Sequence, residues 1–200
     1  MKIKLIVAFI VFMVLFINSR SNAQDVVINE IFYDPGNTGI GCFVELYGKS
    51  GLSLDGYRLV GVNGADGKEY NQIALSGKRI QLTGYFVIAE DKSVPNADIV
   101  DPKVDYQNGP DNIELWNKDG KIDAIGYGDF EKAKFTGEGT PTLDLSGYSI
   151  GRRKDGFDSN DNSVDFVGLA ILSPGRPNWP GVAVERKGKL TSIWGFIKKN

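Results

Sequence analysis

Between positions 155 and 165 the chain carries six oxygen-rich side chains: Asp155, Asp158, Asn160, Asp161, Asn162 and Asp165. Carboxylates and carboxamides at this density suit a hard cation, and calcium accepts six to eight such oxygens in loose geometry. Asp158-Ser159-Asn160-Asp161-Asn162 reproduces the first five positions of an EF-hand loop, in which alternate oxygens face one centre. Position six is Ser163 rather than glycine and position twelve is Leu169 rather than glutamate, so the loop is not an EF-hand. Asp155, Asp161 and Asp165 would complete an irregular cage. Two other roles fit the same residues. Asp and Asn form turns by bonding their own backbone, and the neighbouring Arg152, Arg153 and Lys154 can neutralise carboxylates without an ion. The six residues are therefore a candidate calcium site, with turn formation as the competing role.

Other chemistry is thinly represented. The chain has no histidine, which removes the commonest general base and the commonest zinc ligand together. Gly48-Lys49-Ser50 ends like a phosphate-binding loop, but Phe43 stands where its first glycine belongs; Gly39-Ile40-Gly41 has Val44 in place of the third glycine of a dinucleotide fingerprint. Glu30 and Glu45, carboxylates on adjacent apolar segments, admit an acid/base role and equally a role in strand pairing or in capping a loop. A carboxylate- and metal-dependent hydrolase would require Glu30, Glu45 or Asp34 to meet the loop acids in one cleft. Trp116, Trp179 and Trp194 are candidates for stacking on sugar rings.

The elements that must position these residues are strands. Residues 26–33, 43–47 and 57–62 are short runs rich in β-branched and aromatic residues, each closed by turn formers. Asn63-Gly64 and Asp66-Gly67 reverse the third run into residues 69–75, and Asn117-Lys118-Asp119-Gly120 joins residues 112–116 to 121–127 as a hairpin. Ile80 and Leu82 alternate with polar neighbours as in a further strand. Tyr85-Phe86-Val87-Ile88-Ala89 is apolar at every position, the pattern of a strand covered on both faces. No helical periodicity interrupts the series, and 25 glycines punctuate it, so the expected fold is an all-β antiparallel sandwich. Two long connections, residues 90–111 and 128–146, are either solvated excursions or one rim of a binding surface.

Both ends carry a message. Lys2 and Lys4 precede an apolar run over residues 5–17, followed by Ser21-Asn22-Ala23. This is the pattern of a secretory signal peptide cut after Ala23; at ~1.5 Å per residue the run is too short for a ~30 Å hydrocarbon core. The expected organisation is a leader at 1–23, one domain at 24–178, and a linker with a basic, Trp-containing tail at 179–200. That tail either packs on the domain, touches a membrane surface or serves as an export or assembly tag. The expected location is outside the cytoplasm: secreted, periplasmic or at the cell surface. The chain holds 23 basic against 25 acidic residues, and loss of the leader's Lys2, Lys4 and Arg20 makes it more acidic, which speaks against a nucleic-acid partner. A single cysteine, Cys42, cannot close an internal disulfide.

Several of these segments together resemble the lamin tail domain family as found in exported bacterial proteins. The likeness spans residues 26–178. It is carried by Ile28-Asn29-Glu30-Ile31 with Phe43-Val44-Glu45-Leu46-Tyr47, then Leu54-Asp55-Gly56-Tyr57, then Asn112-Ile113-Glu114-Leu115 with Asp119-Gly120 and Ile122-Asp123. It ends with Ser149-Ile150-Gly151-Arg152, Asp155-Gly156, Asn160-Asp161-Asn162, Asp165-Phe166 and Ser173-Pro174-Gly175 with Asn178. The resemblance implies an immunoglobulin-like β-sandwich without catalytic activity, serving as a binding or structural module of secreted or envelope proteins. A protein or an envelope polysaccharide is then the expected partner, and calcium is the one cofactor to consider.

Overall fold

The computed structural model describes residues 24–178 together with Ala183 and Val184. The expected leader at 1–23 and most of the expected tail, Trp179 and Trp194 included, lie outside the described residues. Among the described residues eleven strands run in order: β1 (Val26–Phe32), β2 (Phe43–Gly48), β3 (Arg58–Asn63), β4 (Glu69–Ala74), β5 (Tyr85–Ala89), β6 (Ile99–Val100), β7 (Asp111–Asn117), β8 (Gly120–Tyr127), β9 (Ser149–Arg152), β10 (Phe166–Leu169) and β11 (Ala183–Val184). A single helical turn, α1 (Asn162–Asp165), precedes β10. No helix among the described residues is long and apolar enough to cross a membrane.

The strands form two sheets, a seven-stranded one in the order β11-β10-β9-β1-β2-β5-β6 and a four-stranded one in the order β4-β3-β7-β8. Every pairing is antiparallel except β5 with the short edge strand β6. The chain is an all-β sandwich, as its alternation predicts. Val44, Leu46, Phe86, Ile88 and Ile150 from the large sheet meet Leu59, Ile73, Ile113, Leu115 and Ile125 from the small one in the core between them.

The large sheet is covered on its far face as well. There Phe32, Phe43, Val87, Ala89 and Val94 form a second apolar cluster, closed over by Leu172 among others. The all-apolar β5 is explained by this arrangement: Phe86 and Ile88 serve one core, Val87 and Ala89 the other. The Ile80–Leu82 alternation does not become a named strand. Ile80 is buried, but Leu82 is 89% exposed on a tight turn in which the Gly84 amide donates to the Gln81 carbonyl at 3.0 Å.

A bulge in β1 decides where the polar groups go. The register against β2 shifts between Ile28 and Glu30. An extra residue in one strand breaks the two-residue alternation, so Asn29 and Glu30 both reach the far face while Ile28 and Ile31 stay in the core.

Candidate functional site

β9 sits between β1 and β10, pairing Ile150 with Ile31 and Arg152 with Phe166. Arg152 is completely buried and every polar group of its guanidinium is used. Nε donates to the Ile28 carbonyl at 2.7 Å, and Nη2 donates to both oxygens of Asp123 at 3.0 Å. Nη1 donates to the Phe157 carbonyl at 2.7 Å and to Asp158 Oδ1 and Asp165 Oδ2 at 3.3 Å each. The ring of Phe166 lies 4.6 Å from the guanidinium carbon. A planar fork with five donors is the side chain suited to this many acceptors. Arg152 is thus a buried counter-ion to Asp158 and Asp165 of the candidate calcium ligands and to Asp123 of β8.

The six candidate calcium ligands separate into different roles. Asp155 turns to the far face, where Oδ1 accepts from Asn29 Nδ2 at 3.0 Å and Oδ2 from the Tyr85 hydroxyl at 2.8 Å. Asp158 Oδ1 accepts from Arg152 and from the Asn160 amide at 3.1 Å. Asn160 holds a left-handed turn position at φ 60°. Asp161 caps α1, accepting from the Ser163 amide at 3.1 Å and its hydroxyl at 2.7 Å, an ordinary N-cap. Asn162 is buried; its Oδ1 accepts from the amides of Gly126 at 2.8 Å and Glu138 at 3.0 Å, and its Nδ2 donates to the Ala124 carbonyl at 2.8 Å. Asp165 accepts from Ser159 and Arg152. In this geometry the six have separate partners: Asp158 and Asp165 meet at Arg152, Asp155 bonds Asn29 and Tyr85, Asp161 caps α1 and Asn162 bonds backbone groups.

What does gather is a trio that the sequence does not single out. Carboxylate oxygens of Asp123, Glu138 and Asp158 lie within 4.8 Å of one another. Only Asp158 belongs to the predicted set. Asp123 comes from β8, where an aspartate beside Ala124 and Ile125 is itself a signal of a buried partner. Glu138 comes from the 128–146 connection and carries no such signal. Its Oε2 is buried without a partner, and desolvation together with the charges of Asp123 and Asp158 pushes its carboxyl up to about 8. A cation could be held by these three oxygens; both oxygens of Asp123 already serve Arg152.

The 128–146 connection is packed rather than free. The Lys134 amide donates to the Gly64 carbonyl, Asn112 Nδ2 to the Lys134 carbonyl at 3.0 Å, and the Thr136 amide to Asn112 Oδ1 at 2.9 Å. The Phe135 ring stands so close to Gly126 that a side chain there would collide with it.

On the far face lies a second polar centre. Glu30 and Glu45 are register partners on β1 and β2 and both are fully buried. Glu30 accepts from the Ser149 hydroxyl at 2.6 Å and the Ser173 hydroxyl at 2.7 Å; Glu45 accepts from Asn29 Nδ2 at 2.8 Å and the Gly175 amide at 2.6 Å. Asn178 closes the set, its amide donating to Asp155 and its Nδ2 to the Arg152 carbonyl at 2.8 Å. The two glutamates do meet a loop acid, Asp155, as an acid/base site would require, but beneath residues 172–178 and bound to the framework. Both sit in the β1–β2 pairing and cap residues 173–175.

Burial raises the Glu30 carboxyl, against the lowering effect of its serine donors. Burial also pushes Glu45 up to about 8, with the neighbouring Glu30 and Asp155 adding to it.

Gly147-Tyr148-Ser149-Ile150-Gly151 has the spacing of a nucleophile elbow. Its serine sits in a strand, fully buried, with its hydroxyl on Glu30, whereas an elbow lifts its serine out on a strand-to-helix turn. Cys42 is buried as well, its thiol donating to the Tyr33 carbonyl at 3.2 Å and pushed up to about 12 by burial. A thiol held protonated is a poor nucleophile. Trp116 is half-buried with Arg58 stacked 4.9 Å from its ring centre, and its Nε1 donates to Glu114, so part of its surface is already covered.

Two open grooves share Thr83, and the second is bounded by Gly175 of the 172–178 segment. One, of about 410 Å³, is bounded by Tyr47, Lys49 and Gly156 among others; the other, of about 460 Å³, by Tyr85, Leu82, Asn96 and Gly175 among others. No family model matches the chain, and no curated protein matches it either.

Proposed function

We propose that the chain is an exported β-sandwich of the lamin tail type, acting as a non-catalytic binding or structural module of the cell envelope or surface. The observation that carries this is the pair of open grooves that share Thr83, bounded by tyrosine, hydroxyl, amide and charged side chains. Supporting it, the carboxylates best placed for acid/base chemistry are spent on Arg152, on serines and on backbone amides. Shallow recesses with mixed polar edges suit an extended polymer, a polysaccharide chain or a protein segment, better than a small substrate enclosed for reaction.

The test is fractionation of cells making the full chain, then co-sedimentation of the purified protein with polysaccharide-rich envelope particles, before and after protein is stripped from them. The expected result is an extracytoplasmic protein beginning at Gln24 that sediments with the particles and is weakened by Leu82→Arg. Recovery from the cytoplasm with Met1 intact, or no retention on either preparation, refutes the proposal.

A second reading, a component docked into a larger surface assembly by its tail, draws on β11. Ala183 and Val184 pair with Leu169 and Gly168 of β10, so the chain departs along the edge of the large sheet. Removing residues 185–200 separates the two: retention lost with an unchanged melting temperature favours docking through the tail.

A further inference from the structure

Residues 172–178 cross the far face of the large sheet and return. Leu172 packs over the Phe32/Phe43/Val87 cluster, Ser173 is held by Glu30 of β1, and Gly175 by Glu45 of β2. Asn96 Nδ2 donates to the Pro174 carbonyl at 2.8 Å, and Asn178 comes back to Asp155 and Arg152. This segment has no regular secondary structure of its own. What fixes it is side-chain acceptors, and two of these are glutamates on directly paired positions of neighbouring strands.

We propose that residues 172–178 are a proton-controlled latch: they stay closed while Glu30 and Glu45 together carry at least one proton, and open when both are ionised, uncovering Phe32, Phe43 and Val87. Two carboxylates side by side in a buried site resist double ionisation. Asp155 is the other acid facing them, bonded to Asn29, the Tyr85 hydroxyl and Asn178. The remaining groups in contact are the hydroxyls of Ser149 and Ser173, the Asn29 carboxamide and the backbone amides of Ser173 and Gly175. Among the described residues no lysine or arginine forms an ion pair with either glutamate. These donors favour the charged forms, but with no cation paired to either glutamate the remaining repulsion between two adjacent carboxylates is relieved by admitting water. The sheet beneath cannot open locally without breaking its ladders, whereas the segment above is held by single bonds. The elevation of both carboxyls is consistent with this arrangement.

The latch does not depend on the proposed binding function, and its test needs no ligand. Amide hydrogen exchange is followed on the purified protein between pH 6 and 9, with protection corrected for the intrinsic pH dependence of exchange. Ser173 and Gly175 are compared with Leu59 and Ile113 of the small sheet. The expected result is a loss of protection at Ser173 and Gly175 of tenfold or more across this range, with Leu59 and Ile113 changing less than twofold. In Glu45→Gln the loss shrinks to under threefold. Glu30→Gln, changing the partner carboxylate, gives the same flattening and guards against a variant that fails to fold. Constant protection at Ser173 and Gly175, a parallel fall at all four amides, or an unaltered pH response in both variants overturns the proposal.

Discussion

Replacing Arg152 with Met tests the centre of the large sheet most directly. The methionine keeps most of the stem volume and the contact with Phe166 but removes a guanidinium that serves three carboxylates and two carbonyls. Arg152 and Asp123 are both fully buried, so the surface-pair figure of ~0–1 kcal/mol does not apply. Removing one partner of a buried pair leaves an uncompensated charge and costs ~3–5 kcal/mol. Against a total stability of ~5–15 kcal/mol for a domain this is a large fraction. At about 2–4 °C per kcal/mol for a domain of this size, the melting temperature falls by roughly 8–16 °C for a loss near 4 kcal/mol. Adding Asp123→Asn removes much of the stranded charge, so the double variant recovers about 1–3 kcal/mol relative to additivity. The deficit of Arg152→Met also narrows on acidification towards pH 5, since Asp123, whose carboxyl burial already raises, is then more readily protonated. Urea denaturation of the four proteins at pH 7.5 and pH 5 measures all three quantities. A single variant within 1 kcal/mol of the parent, or strict additivity with Asp123→Asn, would refute the view that Arg152 is the internal counter-ion.

Three further outcomes follow from the same geometry. Glu45 and Glu138 are both pushed up to about 8 from an ordinary 4.5; groups raised in the folded state lend stability that is complete below pH 4.5 and is lost as pH climbs through 8. Scanning calorimetry should accordingly give a melting temperature that declines from pH 6 to 9, and a flat or rising profile contradicts it. Asn162→Ala strands the amides of Gly126 and Glu138 and the Ala124 carbonyl, at about 2–4 kcal/mol by the cost of orphaned buried groups; chemical denaturation reads the loss, and a change below 1 kcal/mol would show that water replaces the carboxamide. Calcium in excess of chelator is expected to leave the melting temperature within 1 °C, because Asp155, Asp158, Asp161, Asn162 and Asp165 accept hydrogen bonds from separate partners rather than facing one centre. A rise of several degrees that Glu138→Gln abolishes would instead locate an ion among Asp123, Glu138 and Asp158.

Strand identity was legible in the residue pattern because alternation is a local property: each residue's face follows from its neighbour's. The hairpin at Asn117–Gly120, the doubly covered β5 and the all-β class were all readable on that ground. Leu82 was misplaced because an exposed turn can imitate alternation for three residues. The wealth of oxygens between Asp155 and Asp165 was visible too, and so was its ambiguity between ion ligands and turn formers. Choosing between them required the position of Arg152 relative to Asp123, 29 residues earlier, and to Asp165 across β9 and β10. Glu138 could not be placed at all from its neighbours. The far-face centre needed still more distant partners, Glu30 with Ser173 and Glu45 with Gly175, separated by 143 and 130 residues. It also needed one inserted residue in β1 that turns Asn29 and Glu30 to the same side. A short stretch of chain specifies its own backbone preferences, but which buried charge meets which partner is settled only when the sheets close and water leaves, since that is when an unpaired charge becomes costly.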